Sequence, residues 1–155
     1  GTACQASGSN SVIRAAKQAA PPARWTILDA PPGTACPMIE TVRDCDYVLL
    51  VTEPTPFGLH DLRLAVEVMR TLHLSFGVVV NRADPVAPET REWCEQAQVP
   101  ILAEVPDSAA IARAYAQGRL IVEAVPGLEA LFDQLIARLR AEVHCEIREE
   151  GGAHA

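Results

Sequence analysis

Two short apolar runs constrain the fold of this chain more than any other feature of its 155 residues. Tyr47–Thr52 reads YVLLVT, and Phe76–Val80 reads FGVVV. Each run has the length of a strand and is bounded by turn-forming residues, and the lack of polar alternation predicts burial on both faces. Between them, apolar residues recur every three or four positions, which predicts an amphipathic helix over 57–74. Its apolar stripe comprises Leu59, Leu62, Val66, Met69 and Leu72.

The rest of the chain continues this alternation of strand and helix. Trp25–Leu28 and Ile101–Val105 are two more predicted strands, which makes four. Helices are predicted over 11–20, 38–45, 89–98, 107–117 and 127–147. Strands joined by helix-length crossovers form a parallel sheet with right-handed connections, so we expect a three-layer α/β fold. We expect one domain over residues 1–150, with a loose segment at 1–10 and a disordered tail at 151–155.

The overall charge excludes several classes of partner. The net charge is −7 and the pI about 5.0, with no basic face for nucleic acid and no attraction to anionic membrane surfaces. No apolar run is long enough to span a bilayer. The five cysteines contain no CxxC pair, so their spacing encodes neither a zinc site nor an iron–sulfur cluster. We expect reduced thiols in a cytoplasmic protein, and the start at Gly1 suggests a fragment or a processed chain.

The turn after Trp25–Leu28, which reads DAPPG, is the first candidate site. Ligands of parallel sheets bind at the carboxyl ends of the strands, and Asp29 occupies such an end. A carboxylate there can hold Mg²⁺ through its water shell. Gly33 can offer an unobstructed backbone N–H to a terminal phosphate. The alternative is a turn aspartate without a ligand.

The turn after the strand at 76–80, which reads NRAD, is the second candidate. Asn81 can present its amide to a purine edge, and Arg82 can lie along a base face. The spacing also matches the N-K-x-D pattern of guanine readers, with Asp84 as the acceptor. Asn and Asp are common after strands in any case. In the neighbouring turns, 53–56 is interpreted as turn-building, and Pro106 and Asp107 either border a base pocket or start a helix, with the helix start favoured.

The order of these motifs is more specific than any one of them. The succession DAPPGTACP, DYVLLVTEPTPFGLHDL, FGVVVNRAD and PILAEVPD resembles the MinD/ParA-type (CobQ/CobB) P-loop ATPases. Within them it is most similar to the branch with a ferredoxin-like iron–sulfur insertion, and the resemblance covers Ser7 to Leu139. It implies a P-loop NTPase-like, Rossmann-like fold that binds ATP and Mg²⁺.

The resemblance also implies roles for individual residues. Asp29 would be the magnesium-side acid, and Gly33 the catalytic switch residue near the γ-phosphate, with Pro32 beside it in the cofactor site. Asn81 and Arg82 would contact adenine. Pro106 and Asp107 would border its pocket.

Two departures limit what the resemblance implies. The chain lacks the K-G-G-x-G-K-S/T loop that holds the phosphates, and it lacks the clustered cysteines that hold the 4Fe–4S clusters of the insertion. It therefore resembles the C-terminal part of the domain, an incomplete sheet without the P-loop strand. That strand would lie between Trp25–Leu28 and Tyr47–Thr52. Without it we expect either a collapsed four-stranded sheet in sequential order or a self-associated dimer.

Three functions remain open. The first is a fragment of an ATPase that couples hydrolysis to an iron–sulfur, redox or other protein partner, with this chain alone inactive. The second is a degenerate stand-alone protein-interaction module without nucleotide binding. The third is a GTP binder, given the NRAD turn. An amidotransferase is not supported, because no glutaminase nucleophile pattern is present.

Overall fold

The computed structural model describes residues 8–84 and 86–151, with side chains described for 10–84 and 86–143. Seven helices and three strands occur in this described part. They are α1 (Gly8–Ala19), α2 (Cys36–Val42), β1 (Val48–Thr52), α3 (Pro56–Thr71), β2 (Phe76–Ala83), α4 (Glu89–Gln96), β3 (Ile101–Pro106), α5 (Ala109–Ala116), α6 (Ile121–Ala124) and α7 (Leu128–Gly151).

The three strands form one parallel sheet in the order β1-β2-β3. β1 pairs with β2 in continuous register along its whole length. Between β2 and β3 the register shifts after Val78 and again between Val80 and Ala83. The crossovers α3 and α4 join successive strands, so the predicted parallel α/β sheet is confirmed.

Helices cover the sheet on two faces, which gives the predicted three layers. On one face, α2, α3 and α4 enclose Met38, Val42, Val48, Leu62, Val66, Met69, Val78, Val80, Cys94 and Val99. On the other face, β2 and β3 pack against α5, α6 and α7 around Val79, Leu102, Val105, Leu128 and Leu135. The predicted helical stripe is confirmed at its centre, where Leu62, Val66 and Met69 are buried.

Side-chain caps fix where the crossover helices begin at the carboxyl end of the sheet. Thr55 caps α3, and its Oγ1 accepts a hydrogen bond from the Gly58 N–H at 3.0 Å. Ser108 caps α5, and its Oγ accepts from the Ala110 N–H at 3.2 Å. The helix start at residues 106–108 is therefore built by Ser108, which leaves the Asp107 carboxylate available for other contacts.

The predicted strand at Trp25–Leu28 is wrong. The described sheet contains three strands, and this segment pairs with none of them. Ile27 is 91% exposed and Trp25 42%. A strand requires a hydrogen-bonded neighbour, and the chain places none beside this segment. The collapsed four-stranded sheet is therefore also wrong, and β1 is an outer strand.

Smaller corrections follow from the same architecture. β1 is not buried on both faces, because Val51 is 65% exposed at the outer edge. β2 continues past its predicted end at Val80 to Ala83. α1 begins at Gly8, inside the segment expected to be loose, and α7 extends to Gly151. The rest of the expected loose segment and of the expected tail lies outside the described residues.

Candidate functional site

Three charged side chains meet at the carboxyl end of the sheet, one from the end of each strand. In β2, Arg82 has its Nη1 3.8 Å from Oε2 of Glu53, which follows β1. Its Nε lies 3.7 Å from Oδ1 of Asp107, which follows β3. We call Glu53, Arg82 and Asp107 the strand-end triad. Between 45% and 62% of each side chain is exposed, so water screens each pair and each alone is weak.

The backbone of Arg82 is as unusual as its contacts. It lies within the second register shift of β2 and adopts a left-handed conformation with φ of +53°. Such a conformation costs a non-glycine residue on the order of 1 kcal/mol and persists where the surrounding structure holds it. The neighbouring Asp107 N–H donates to the Ala83 carbonyl at 3.2 Å, which ties the end of β3 to the end of β2. The half-buried Asn81 directly precedes Arg82 at this edge.

The turn that carries Glu53 is fixed by close packing against the start of α3. The Thr55 N–H donates to the Glu53 carbonyl at 2.8 Å, and Thr52 Oγ1 donates to the Gly58 carbonyl at 3.0 Å. A Cβ on Gly58 would lie 2.3 Å from the Glu53 carbonyl oxygen, so only glycine permits this approach. The interpretation of 53–56 as a structural turn is correct, but it is incomplete, since the turn also presents a carboxylate to Arg82.

The structure brings together the predicted residues of the second and later turns. Asn81 and Arg82 lie at the end of β2, beside Asp107 and the exposed Pro106 that ends β3. Sequence reasoning missed Glu53 as a member of this group. A signal was present, because Glu53 directly follows an apolar strand, as Asp29 was expected to do.

The Asp84 side chain accepts a hydrogen bond within the turn that contains it. Its Oδ1 accepts a hydrogen bond from the Val86 N–H at 2.9 Å, which is an Asx-type turn contact. The contact uses one of the two carboxylate oxygens for the turn itself. The geometry therefore favours the turn-forming interpretation of Asp84.

The DAPPG turn is a separate, exposed feature. Asp29, Pro32 and Gly33 are all exposed. Gly33 has φ of +89°, and beyond its two chain neighbours no described atom lies within 4 Å of the position that a Cβ would take, so the turn is uncrowded there. In the part of the chain that the structure describes, no hydrogen bond or ion pair joins Asp29 to the strand-end triad. Ala30 anchors the turn by packing against the cluster of Met38 and Val48.

The described residues do not form a metal site by themselves. Among them, no group of three or more His, Cys, Asp and Glu side chains is placed to hold a metal ion. Asp29 offers a single carboxylate. Mg²⁺ commonly binds through one or two carboxylates together with substrate phosphates and water, so Asp29 fits an ion that a nucleotide brings with it. The described residues also include no helix long and apolar enough to cross a membrane.

A second charged cluster joins α1 to α2 away from the strand ends. The Arg14 guanidinium donates to both carboxylate oxygens of Glu40, and this hydrogen bond lowers the pKa of Glu40 and raises the pKa of Arg14. Lys17 Nζ donates to the carbonyls of Glu40 at 3.3 Å and Thr41 at 3.0 Å. These carbonyls lie near the carboxyl end of α2, where a cation is favourable. The cluster therefore fastens one helix to another.

The three cysteines whose side chains the structure describes are of two kinds. Cys45 and Cys94 are free thiols, and burial raises the pKa of both, that of Cys94 to about 11. Cys36, at the start of α2, is disulfide-bonded, so the expectation of reduced cysteines fails at this position. Cys4 and Cys145 lie outside the residues whose side chains are described.

Sequence comparison gives two partial relatives, both from Methanocaldococcus jannaschii, and no protein-family model matches the chain. The uncharacterized protein MJ0579 is 39% identical over 56 residues, which are 36% of this chain and 21% of that protein. The uncharacterized protein MJ0578 is 35% identical over 78 residues, 49% of this chain and 28% of that protein. The matches thus span less than a third of either relative.

Solved structures with the same fold include MinD proteins. The MinD cell division protein of Aquifex aeolicus has a TM-score of 0.66 and 18% identity, over 86% of this chain and 59% of that chain. The Pyrococcus horikoshii septum site-determining protein MinD, complexed with Mg-ADP, gives 0.55 and 20%, over 95% and 58%. The cell division ATPase MinD of Pyrococcus furiosus gives 0.52 and 24%, over 78% and 50%. The chain thus has the P-loop NTPase-like α/β fold of MinD and spans only half to three fifths of these neighbours' length.

Proposed function

We propose that this chain is the C-terminal part of a MinD/ParA-like ATP-binding domain whose intact form hydrolyses ATP. The observation that carries the proposal is the outer edge of β1. β1 pairs only with β2 among the described strands, and Val51 at this edge is 65% exposed. An apolar strand left at an edge suits a sheet that continues through another segment. The MinD neighbours, which extend well beyond the matched region, have this fold.

In this proposal, the strand-end triad contacts the base of ATP, and the DAPPG turn contacts its phosphates. The strand-end triad carries a formal charge of −1, from one arginine and two carboxylates, so it disfavours phosphates and suits the base. Asn81 offers an amide to the adenine edge, Arg82 a planar face, and Pro106 an apolar border. Asp29 and Gly33, with Pro32, face the phosphate end.

On the phosphate side, the residues of this chain have limited tasks. Asp29 orients the water shell of the Mg²⁺ that arrives with ATP, and Gly33 donates its N–H to the terminal phosphate. Bound Mg²⁺ supplies neutralisation of the charge that develops on the transferred phosphoryl group. The amides and lysine that hold the phosphates belong to a P-loop absent from these 155 residues. The proposal therefore places them on another segment of the intact protein.

The finer assignments rest on the sequence resemblance. They are a coupling of hydrolysis to an iron–sulfur, redox or other protein partner, 4Fe–4S clusters in an insertion outside this chain, a homodimer and a cytoplasmic location. The alternative is a degenerate protein-interaction module without nucleotide. The exposure of Ile27 (91%) and Phe57 (84%) favours it, because exposed apolar side chains suit protein contacts.

The test is nucleotide binding and hydrolysis by the intact protein that contains this chain. We expect Mg-ATP to bind in preference to Mg-GTP. We expect Asp29→Asn to lower the hydrolysis rate at least about tenfold, a typical loss for removing an electrostatic group from a site. Asp133→Asn, at an exposed position on α7, is the matched control and should leave the rate unchanged. An intact protein that binds neither nucleotide would favour the interaction module.

A further inference from the structure

We propose that Glu53 is a positioning residue of the nucleotide site, which acts by holding Arg82 in place for contact with the base. The inference rests on the proposed function and adds to it a residue that the sequence assigned only to turn-building. Three observations carry it: the convergence of two carboxylates on one guanidinium, the anchoring of both carboxylates through backbone contacts, and the left-handed backbone of Arg82.

The two carboxylates approach Arg82 from opposite sides of β2. Glu53 follows β1 and faces Nη1, whereas Asp107 follows β3 and faces Nε. At 3.8 and 3.7 Å these are ion pairs without hydrogen bonds, and two acids on different nitrogens favour one orientation of a planar guanidinium more than one acid does. The pair therefore favours one direction for the flat face of Arg82.

Both carboxylates stand on backbone that cannot move freely. Glu53 is held through its carbonyl by the Thr55 N–H and by the close approach of Gly58. Asp107 is held by the bond from its N–H to the Ala83 carbonyl. An anchored backbone fixes where each carboxylate starts, so only side-chain rotation remains to be restricted when the ion pairs form.

The backbone of Arg82 supplies the reason why a positioning residue is needed. At φ of +53° within a register shift, this residue is in a sparsely populated conformation. Contacts from both neighbouring strands help to hold it there. Loss of Glu53 removes the ion pair from the β1 side and leaves the ion pair with Asp107.

The test compares the nucleotide affinities of four variants of the intact protein with wild type by fluorescence titration with a labelled ATP. Glu53→Gln should weaken binding about threefold to fivefold, the upper range for a partly exposed ion pair. Arg82→Ala should weaken it more. The double variant should equal Arg82→Ala, because Glu53 acts only through Arg82. Glu104→Gln breaks an ion pair of 2.7 Å between β3 and Arg91 of α4, and this variant should bind nucleotide as wild type does.

A second readout in the 155-residue chain uses no nucleotide. The Arg82 Nε–H resonance should broaden or shift in Glu53→Gln and remain unchanged in Glu104→Gln. Wild-type affinity for Glu53→Gln, or additive losses in the double variant, would overturn the inference while leaving the proposed function intact. Failure of the wild-type intact protein to bind any nucleotide would instead overturn the proposed function, and the base-positioning role with it.

Discussion

The two outer edges of the sheet differ in how far side chains and helices protect them. At the β3 edge, Arg138 of α7 donates from Nη1 to the Leu102 carbonyl at 2.7 Å and to the Ile101 carbonyl at 3.4 Å. Arg91 and Glu104 form an ion pair of 2.7 Å beside it. At the β1 edge, Val51 is largely exposed, and no strand of the described residues pairs on the outer side.

Within the described residues, the β3 edge is protected and the β1 edge is not. Natural proteins protect exposed strand edges with charged side chains or covering helices, because an open strand invites pairing with another chain. β3 has both kinds of protection. β1 has an apolar residue where a protective charge would be expected, which agrees with the proposal that the sheet continues through another segment.

The largest expected effect is a difference in unfolding free energy between truncating a buried residue on β3 and truncating an exposed residue on β1. Leu102 on β3 is 6% exposed, whereas Val51 on β1 is 65% exposed. Leu102→Ala should lower the free energy of unfolding of this chain by about 2–5 kcal/mol, since it leaves a cavity. Val51→Ala should change it by less than about 0.5 kcal/mol, as is usual for surface positions. Urea denaturation of both variants measures this, and equal losses would contradict the contrast.

The next effect concerns the protection of β3. Arg138→Met keeps most of the apolar stem but removes the donors to two edge carbonyls. We expect a loss of about 1 kcal/mol in unfolding free energy, a typical value for such hydrogen bonds, together with concentration-dependent association. Sedimentation velocity detects the association. Arg119→Met, at an exposed position after α5, should remain like wild type.

The smallest expected effect concerns the ion pair that joins α1 to α2 and its contribution to the free energy of unfolding. Arg14 of α1 forms an ion pair with Glu40 of α2, and its hydrogen bond holds the pKa of Glu40 below the ordinary value. A lowered pKa in the folded state contributes stability above the unfolded pKa, and this is lost as pH falls through the folded pKa. Unfolding free energy between about pH 5 and pH 3 should therefore fall less steeply in Glu40→Gln than in wild type. An unchanged slope would show that the pair does not contribute.

Local sequence signals sufficed for much of the fold. The runs at 47–52 and 76–80 became β1 and β2, and the stripe of Leu62, Val66 and Met69 became the buried face of α3. Trp25–Leu28 has equally good strand composition but forms none, because strand formation depends on a neighbour that composition does not reveal. The exposure of Val51 likewise depends on what packs over its face of β1, which composition does not reveal.

The site was predictable to a similar extent. Asn81, Arg82 and Asp107 follow strands whose ends meet at one edge, so their proximity follows from the topology. Glu53 follows the apolar strand β1 in the same way, but the sequence reasoning assigned it to turn-building and so missed its ion pair with Arg82. The positions of Asp29 and Gly33 relative to that group depend on a strand that did not form.

We propose that this chain carries only part of an ATP site, and titration calorimetry of Mg-ATP into the 155-residue chain tests this most directly. Without the loop that holds the phosphates, we expect no saturable heat and a Kd weaker than about 1 mM. A Kd of about 10 μM or tighter for this chain alone would contradict the account.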